Sequence, residues 1–292
     1  MKRISWIWWS SLITLLATGC IRQQPLPSIS IKGSDTEVNL VLQLAETYME
    51  TNPNVSLCVT GGGSGVGIAG LFNGHTDVAN SSRGLNAYEE ALAKERGIDI
   101  HTNIFAYDAL AIVCHPELAM DSLTIEELGQ IFSGKTQVWT DRNGKVCSLS
   151  LYGRQSNSGT YIYFREKIIG ADYSSGMKQM NGNAQILEAV KSDRNAIGYI
   201  GLGYITDEHG ILRKGIKVVS TKPDRNALTV SPLDAQAVQA GLYPLVRPLY
   251  QFTNGKPDHE TQAFFDFEKS EAGQAILKKN GYLPVPKNTF PQ

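Results

Sequence analysis

Residues 55–74, VSLCVTGGGSGVGIAGLFNG, read as a strand that ends in a glycine-rich turn and passes directly into a helix. VSLCVT is apolar and partly β-branched, and the glycines at 61–63 break it before the helical run from Ser64. The same grammar stands on either side. SISIK (28–32) is a strand, GSDT (33–36) a turn and VNLVLQLAETYMET (38–51) an amphipathic helix, while DVANSS (77–82) is a short strand followed by the helix NAYEEALAKERG (86–97). Strand and helix in strict alternation predict an α/β fold on a parallel sheet.

The pattern changes at HTNIFAYDALAIVCHP, where two extended runs stand with little between them, as if the chain were leaving one unit for another. SLTIEELGQIFSG (122–134) is then a helix opened by a capping box, Thr124 with Glu127. SLSLYGR is a strand, TYIYFREKII a helix, NAQILEAVKSD (183–193) a helix and AIGYIG (196–201) a strand. LYPLVRPLYQFT (242–253) reads as a second extended crossing, and HETQAFFDFEKS and EAGQAILKKN as helices that complete the first unit. The expectation is two α/β lobes joined by two crossings, one lobe of residues 28–107 with 247–292 and the other of 108–246.

Composition bounds what such a molecule does. The chain has 292 residues, 42% hydrophobic and 19% charged, enough for a sizeable core. Its net charge of −1 offers no field for a nucleic acid. The first nineteen residues read as an export leader, with Lys2 and Arg3, an apolar stretch from about Ile4 to Ala17, and then small residues. Ala17-Thr18-Gly19-Cys20 resembles a bacterial lipobox, which makes Cys20 the expected lipidated terminus and residues 20–27 a tether. Cys58, Cys114 and Cys147 remain, an odd number with no C-x-x-C, so a metal site is not expected; Cys58 and Cys114 lie in apolar runs and are expected to be buried.

The chemistry gathers at strand ends. Arg154 precedes Ser158-Gly159-Thr160, three small residues at a helix start, where unpaired N–H groups and the positive dipole end favour an anion. Ser34 and Thr36 follow the first strand, Ser64 the second, and Ser82 with Arg83 the third. In open α/β sheets ligands bind just beyond the carboxyl ends of strands. Four such turns brought together would form a cage of hydroxyl donors and guanidinium groups around a tetrahedral oxyanion. A lone S-G-T is more simply a helix cap, and Ser and Gly also serve ordinary turns; it is the fourfold repetition that points to a site. Enzymatic motifs fail on spacing. Gly65-Val66-Gly67-Ile68-Ala69-Gly70 matches G-x-G-x-x-G without a strand-end carboxylate at the required distance, and Val66 stands where a nucleophile elbow needs glycine.

With these residues placed, the chain resembles the phosphate-binding proteins of bacterial ABC phosphate transporters, through KGSDT, GGGSGVGI, DVANSSR, LTIEELGQIFSGKTQVWTD, RQSNSGT and AIGYIG. The resemblance implies a two-lobed periplasmic-binding-protein fold, type II-like, with a two-segment hinge closing over one phosphate. It implies a monomer without cofactor or catalytic activity, exported and membrane-anchored, that hands inorganic phosphate to an ABC permease. By position, phosphate-binding residues would be Ser34, Thr36, Ser64, Ser82, Arg83, Arg154, Ser158, Gly159 and Thr160. Many members carry an Asp, acceptor for the phosphate proton, where this chain has Ser82; Asp35 or Asp108 is the expected substitute. A binding protein for another oxyanion such as sulfate, or a phosphate sensor or surface protein on the same fold, is the alternative.

Overall fold

The computed structural model describes residues 26–207 and 211–285; the expected leader, Cys20 and the tether up to residue 25 lie outside the described residues. The first lobe opens with β1 (Ser28–Gly33), α1 (Val38–Thr51), β2 (Ser56–Thr60), α2 (Ser64–Phe72), β3 (Val78–Ser81) and α3 (Ala87–Glu95). β4 (Ile100–Cys114) leads out of it. The second lobe holds β5 (Ser122–Thr124), α4 (Ile125–Phe132), the pair β6 (Val138–Thr140) and β7 (Val146–Ser148), β8 (Ser150–Arg154), α5 (Gly159–Phe164), β9 (Lys178–Met180), α6 (Asn183–Ser192), β10 (Ala196–Gly201), β11 (Lys217–Lys222) and α7 (Ala235–Gln239). β12 (Val246–Asn254) returns, and α8 (His259–Lys269) and α9 (Glu271–Lys279) pack back on the first lobe.

Among the described residues, ten strands form one curled sheet in the order β2-β1-β3-β12-β4-β10-β8-β9, with β11 also on β4 and β5 on β11, while β6 and β7 pair apart from it. β1 runs parallel to β2 and β3, and β8 parallel to β10 and β9, so each lobe has the parallel core that strand–helix alternation requires. The two crossings pair with each other: β4 and β12 are antiparallel from Ile100↔Asn254 to Ala109↔Val246, with a register shift at Leu249/Tyr250. Residues 100–114 are therefore one strand of 15 residues, where two were expected. Ala109 to Cys114 are fully buried, and a strand covered on both faces shows no alternation to read.

Packing divides at the crossings. One apolar cluster includes Ile31, Leu40, Leu44, Phe105, Ala106, Leu249 and Phe264; the next begins at Tyr107 and takes in Leu110, Ile112, Phe132, Phe164, Tyr199 and Leu245. The packing thus changes over between Ala106 and Tyr107 on β4 and between Val246 and Leu249 on β12. α1 buries Leu40, Val41, Leu44, Ala45 and Tyr48, one stripe at helical spacing, and the Tyr48 ring meets Phe264 of α8 edge-on at 5.5 Å. The expected capping box is formed: Thr124 Oγ1 accepts from Glu127 N at 3.0 Å, and Glu127 Oε2 from Thr124 N at 2.8 Å. The helix after Ser158 widens into a π-turn over Arg165–Ile169 and stops at Gly170 in the left-handed region. Cys114 is buried, and burial pushes its thiol up to about 12. Cys58 is not: on edge strand β2 the alternation buries Leu57 and turns Cys58 to solvent.

A polar chain runs through the first lobe's interior. Asn103 Nδ2 donates to Gln251 Oε1 at 2.8 Å, and Gln251 Nε2 to Glu268 Oε1 at 2.8 Å. Glu268 is fully buried, and burial raises its pKa to about 8, against weaker pulls from Gln251 and Lys269. The folded state thus holds a proton that the unfolded chain releases near its ordinary value of 4.5. Stability from this group is complete below that value and is lost as pH rises through about 8. Glu268→Gln keeps the hydrogen bond without the titration. In thermal melts from pH 5 to 9, the variant is expected to exceed the parent at pH 8–9 by on the order of a few kcal/mol and to match it near pH 5. Parallel curves would show that Glu268 is ionised in the fold.

Candidate functional site

Four strand ends meet between the lobes. β1 delivers Ser34, Asp35 and Thr36; β2 delivers Ser64 through its glycine turn; β3 delivers Ser82; and β8 delivers Arg154 and, after a short loop, Ser158, Gly159 and Thr160. Ser34, Thr36, Ser64, Ser82, Arg154, Ser158 and Thr160 are all buried. Groups this far from water need partners. Thr36 Oγ1 lies 3.0 Å from Thr160 Oγ1 across the two lobes. Ser64 Oγ accepts from Ser82 N at 3.1 Å and stands 3.5 Å from Ser82 Oγ. Ser34 Oγ accepts from Thr36 N at 3.2 Å. Ser158 occupies the N-cap position of α5, but its side chain makes no capping bond. Its hydroxyl is therefore not spent on the helix.

The lobes touch through backbone. Gly65 N donates to Asn157 O at 3.0 Å, and Asn157 Nδ2 to Gly62 O at 3.0 Å. Gly63 sits at φ 98°, and a Cβ there would stand 2.9 Å from Asn157 O. Gly159 is constrained more severely: a Cβ would fall 2.7 Å from Ser82 Oγ and closer still to Ser64 Oγ. Glycine alone lets these backbones approach. On the other flank, Asp35 O accepts from Tyr204 Oη at 2.5 Å and from Asn183 Nδ2 at 3.4 Å.

Each buried guanidinium has its own carboxylate. Arg154 Nη2 lies 2.5 Å from Asp35 Oδ2 and donates to Asn181 O at 3.0 Å; Asp35 Oδ1 accepts from Gly62 N at 2.8 Å. Asp35 therefore bridges the lobes and is not the cap of α1, whose N-cap residue is Glu37. Arg83 is turned away from the cage. Its fork grips Glu89 at 2.6 and 2.7 Å, and Glu89 also closes the capping box of α3, so Arg83 anchors that helix.

A third arginine sits where no site residue was expected. Arg247, on the hinge strand β12, is 1% exposed. Its Nη2 donates to Thr160 Oγ1 at 2.9 Å, Thr36 Oγ1 at 3.3 Å and Asp108 Oδ2 at 2.9 Å, and its Nη1 to Ser82 O at 3.3 Å. Its guanidinium carbon stands 5.3 Å from the Tyr163 ring centre, a cation–π distance. The signal in LYPLVRPLYQFT was a lone fixed charge in an apolar strand. Burial raises Asp108, and Arg247 pulls it back by charge and by hydrogen bond. Glu37 is fully buried. Burial pushes it well above the usual range, Asp108 and Glu268 push further, and Arg247 and the Ser34 hydroxyl oppose them.

Fixed guanidinium charge with hydroxyls that donate in any direction suits a fully desolvated tetrahedral oxyanion. The sequence matches the family described as PBP superfamily domain over residues 21–271. It is 30% identical to the phosphate-binding protein PstS of Borreliella burgdorferi over 94% of this chain and 96% of that one. It is also 30% identical to the PstS of Bacillus subtilis over 88% and 81%. Among solved structures, it resembles a substrate-binding protein with bound phosphate from Clostridium perfringens at TM-score 0.75 and 25% identity, covering 89% of this chain and 100% of that one. An ABC-type phosphate transport receptor from Vibrio cholerae matches at TM-score 0.68 and 26% identity, over 88% and 100%. These likenesses agree with the two-lobed α/β architecture.

The Gly159 approach gives a test of how the lobes meet. Gly159→Ala is expected to fold, since the clash lies between lobes and not within one. The closed arrangement should lose about 1–3 kcal/mol, the usual cost of overpacking. Small-angle scattering is expected to show a larger radius of gyration than in the parent. An unchanged radius would mean that Ser64 and Ser82 yield to the methyl group.

Proposed function

The chain belongs to the PBP superfamily and, within it, to the family of the PstS phosphate-binding proteins, and we propose that it is an exported, lipid-anchored protein that binds inorganic phosphate between its lobes and delivers it to an ABC-type importer. It is a binding protein of a non-enzymatic family. The observation that carries the ligand assignment is the buried meeting of Arg154, Thr36, Ser64, Ser82, Ser158 and Thr160, drawn from both lobes. Binding needs no covalent step. Opening at the β4–β12 hinge admits the anion, and closing strips its water and replaces it with hydroxyl, amide and guanidinium donors. A charge-assisted bond is the strong kind, so Arg154 is assigned the largest single share.

Calorimetry on protein lacking residues 1–20, freed of bound anion, tests the ligand. One-to-one binding of phosphate is expected. Equal or stronger binding of sulfate would keep the cage and replace the ligand. Arg154→Ala is expected to weaken phosphate binding by roughly 1.5–3 kcal/mol for each charge-assisted bond lost. Unchanged affinity would remove Arg154 from the site. Delivery is tested by restoring phosphate uptake to cells lacking their own binding protein. A sensor or surface protein would bind phosphate and restore nothing.

The anchor rests on Ala17-Thr18-Gly19-Cys20. Several acyl chains on one cysteine hold firmly where a single chain binds marginally. Cys20→Ala is expected to shift the protein from the membrane fraction to the soluble one and to abolish acyl labelling. Labelling that persists would place the lipid elsewhere.

A further inference from the structure

Arg154 is held at its backbone as well as at its fork. Its N–H donates to Tyr199 Oη at 3.2 Å, and Tyr199, on β10, is fully buried. Tyr199 Oη lies 2.8 Å from Tyr173 Oη, and Tyr173 Oη donates to Tyr161 O at 3.0 Å. Tyr161 stands in the first turn of α5, directly after Ser158, Gly159 and Thr160. The ends of this chain fix its direction, because an amide N–H only donates and a carbonyl only accepts. The Tyr173 proton is spent on Tyr161 O, so the Tyr199 proton goes to Tyr173. The reverse order would leave the Tyr199 proton without an acceptor among the described residues. Burial raises both phenols above their ordinary value, so each keeps the proton it donates. The rings are seated too: Tyr199 stacks on Phe164 of α5 at 4.2 Å, and Tyr173 lies 4.4 Å from the Tyr161 ring. Gly153 makes the room. A Cβ there would stand 2.8 Å from Tyr199 Oη and 2.6 Å from Met177 Sδ.

Resting on the phosphate reading above, we propose that Tyr199 and Tyr173 are positioning residues of the anion site, whose hydroxyl chain sets the spacing between Arg154 and the donors at the start of α5. Only Gln155, Ser156 and Asn157 join those two groups, and one backbone bond, Ser158 N to Gln155 O at 3.0 Å, closes that loop. The Arg154 fork is oriented by Asp35 and the Asn181 carbonyl, which hold the far end of a long side chain. The tyrosine chain holds its root and ties that root to the helix start. Each hydroxyl donates its single proton within the chain, so neither is left for the ligand, and the pair acts through Arg154 and α5. A buried network with every member satisfied is rigid. Donors already fixed at their working spacing lose less freedom when the anion arrives, and that saving appears as affinity. Phenylalanine at either position keeps the ring contacts and breaks the chain.

The experiment titrates inorganic phosphate by calorimetry into the protein without residues 1–20, as parent, Tyr199→Phe, Tyr173→Phe, the double variant and Tyr152→Phe. Tyr152 is the control. It lies on β8 two residues before Arg154, but its hydroxyl donates to Asp193 Oδ2 at 2.8 Å, outside the chain. Tyr199→Phe is expected to raise Kd about tenfold, the effect of one buried hydrogen bond lost. Tyr173→Phe is expected to raise it about threefold or more, and the double variant to match Tyr199→Phe within about twofold, since a chain is broken only once. Amide hydrogen exchange at Arg154 is expected to quicken in Tyr173→Phe, though Tyr173 bonds only to Tyr199 and Tyr161. Tyr152→Phe is expected to lower Tm and leave Kd within about twofold, because it costs a hydrogen bond without loosening the site. An unchanged Kd in Tyr199→Phe or Tyr173→Phe would overturn the proposal. So would losses that multiply in the double variant, or an equal loss in Tyr152→Phe, which would mark a general effect of stability. If Tyr199→Phe fails to fold, Tyr173→Phe decides by the same Kd and exchange readouts. If the parent binds no phosphate, the functional reading falls and this one with it; if the parent binds and only the tyrosine variants disagree, this one alone falls.

Discussion

The ladder between β4 and β12 is the constraint on which the rest of the structure depends. It joins the two lobes into one sheet, so that neither lobe needs a broad interface with the other. It also carries the Arg247–Asp108 pair across its two strands, one register step from the Ala109↔Val246 end. A hinge made of paired backbone resists shear and bends mainly where pairing is disturbed, and the register shift at Leu249/Tyr250 is such a place. The strand-end groups that meet between the lobes are thus hung from a strip of sheet whose geometry is fixed by main-chain hydrogen bonds. Side-chain packing then has only to orient them.

The charges obey a stricter rule. Arg154, Arg247 and Arg83 are each at least nine-tenths buried, and each faces one carboxylate: Asp35, Asp108 and Glu89. A buried ion pair contributes little net stability, because desolvation offsets the attraction, but removing one partner is strongly destabilising. These pairs are therefore better explained by placement than by stability. Two of them lie at the cage, and the third holds α3. A guanidinium has five donors, so a carboxylate on one edge still leaves others for an oxyanion. Arg247 uses that surplus on Thr36, Thr160 and the Ser82 carbonyl.

Much of this was legible in the chain because the signals were local. α1 occupies 38–51 as its apolar stripe predicts, and the Thr124–Glu127 box opens α4. The convergence of GSDT, GGGS, NSS and SGT followed from where strands end. What escaped notice depends on pairing between distant segments. Arg247 reads as an isolated basic residue until β12 is laid beside β4. Arg83 lies next to Ser82 in sequence, yet Glu89 six residues later captures it. The three-residue strands β5, β6, β7 and β9 are too short to carry a period of two. Cys58 sits in an apolar run, but an edge strand has one face on solvent whatever its composition.

The division of labour between hydroxyls and guanidiniums follows from what each can do on its own. A serine or threonine hydroxyl is both donor and acceptor, and it turns about one bond to suit its neighbour. Thr36 and Thr160 can therefore satisfy each other at 3.0 Å, or both turn to donate to an oxyanion, without any change of backbone. An arginine has no such freedom: it only donates, and its charge needs a counter-charge at all times. A cage of arginines alone would demand as many buried carboxylates and would repel itself as the lobes met. A cage of hydroxyls alone would close readily but hold an anion weakly. Here the walls carry neutral hydroxyls, with one buried guanidinium from β8 and one from β12. The hinge arginine contacts Thr36 on one lobe and Thr160 on the other, so bringing the lobes together assembles its hydrogen bonds.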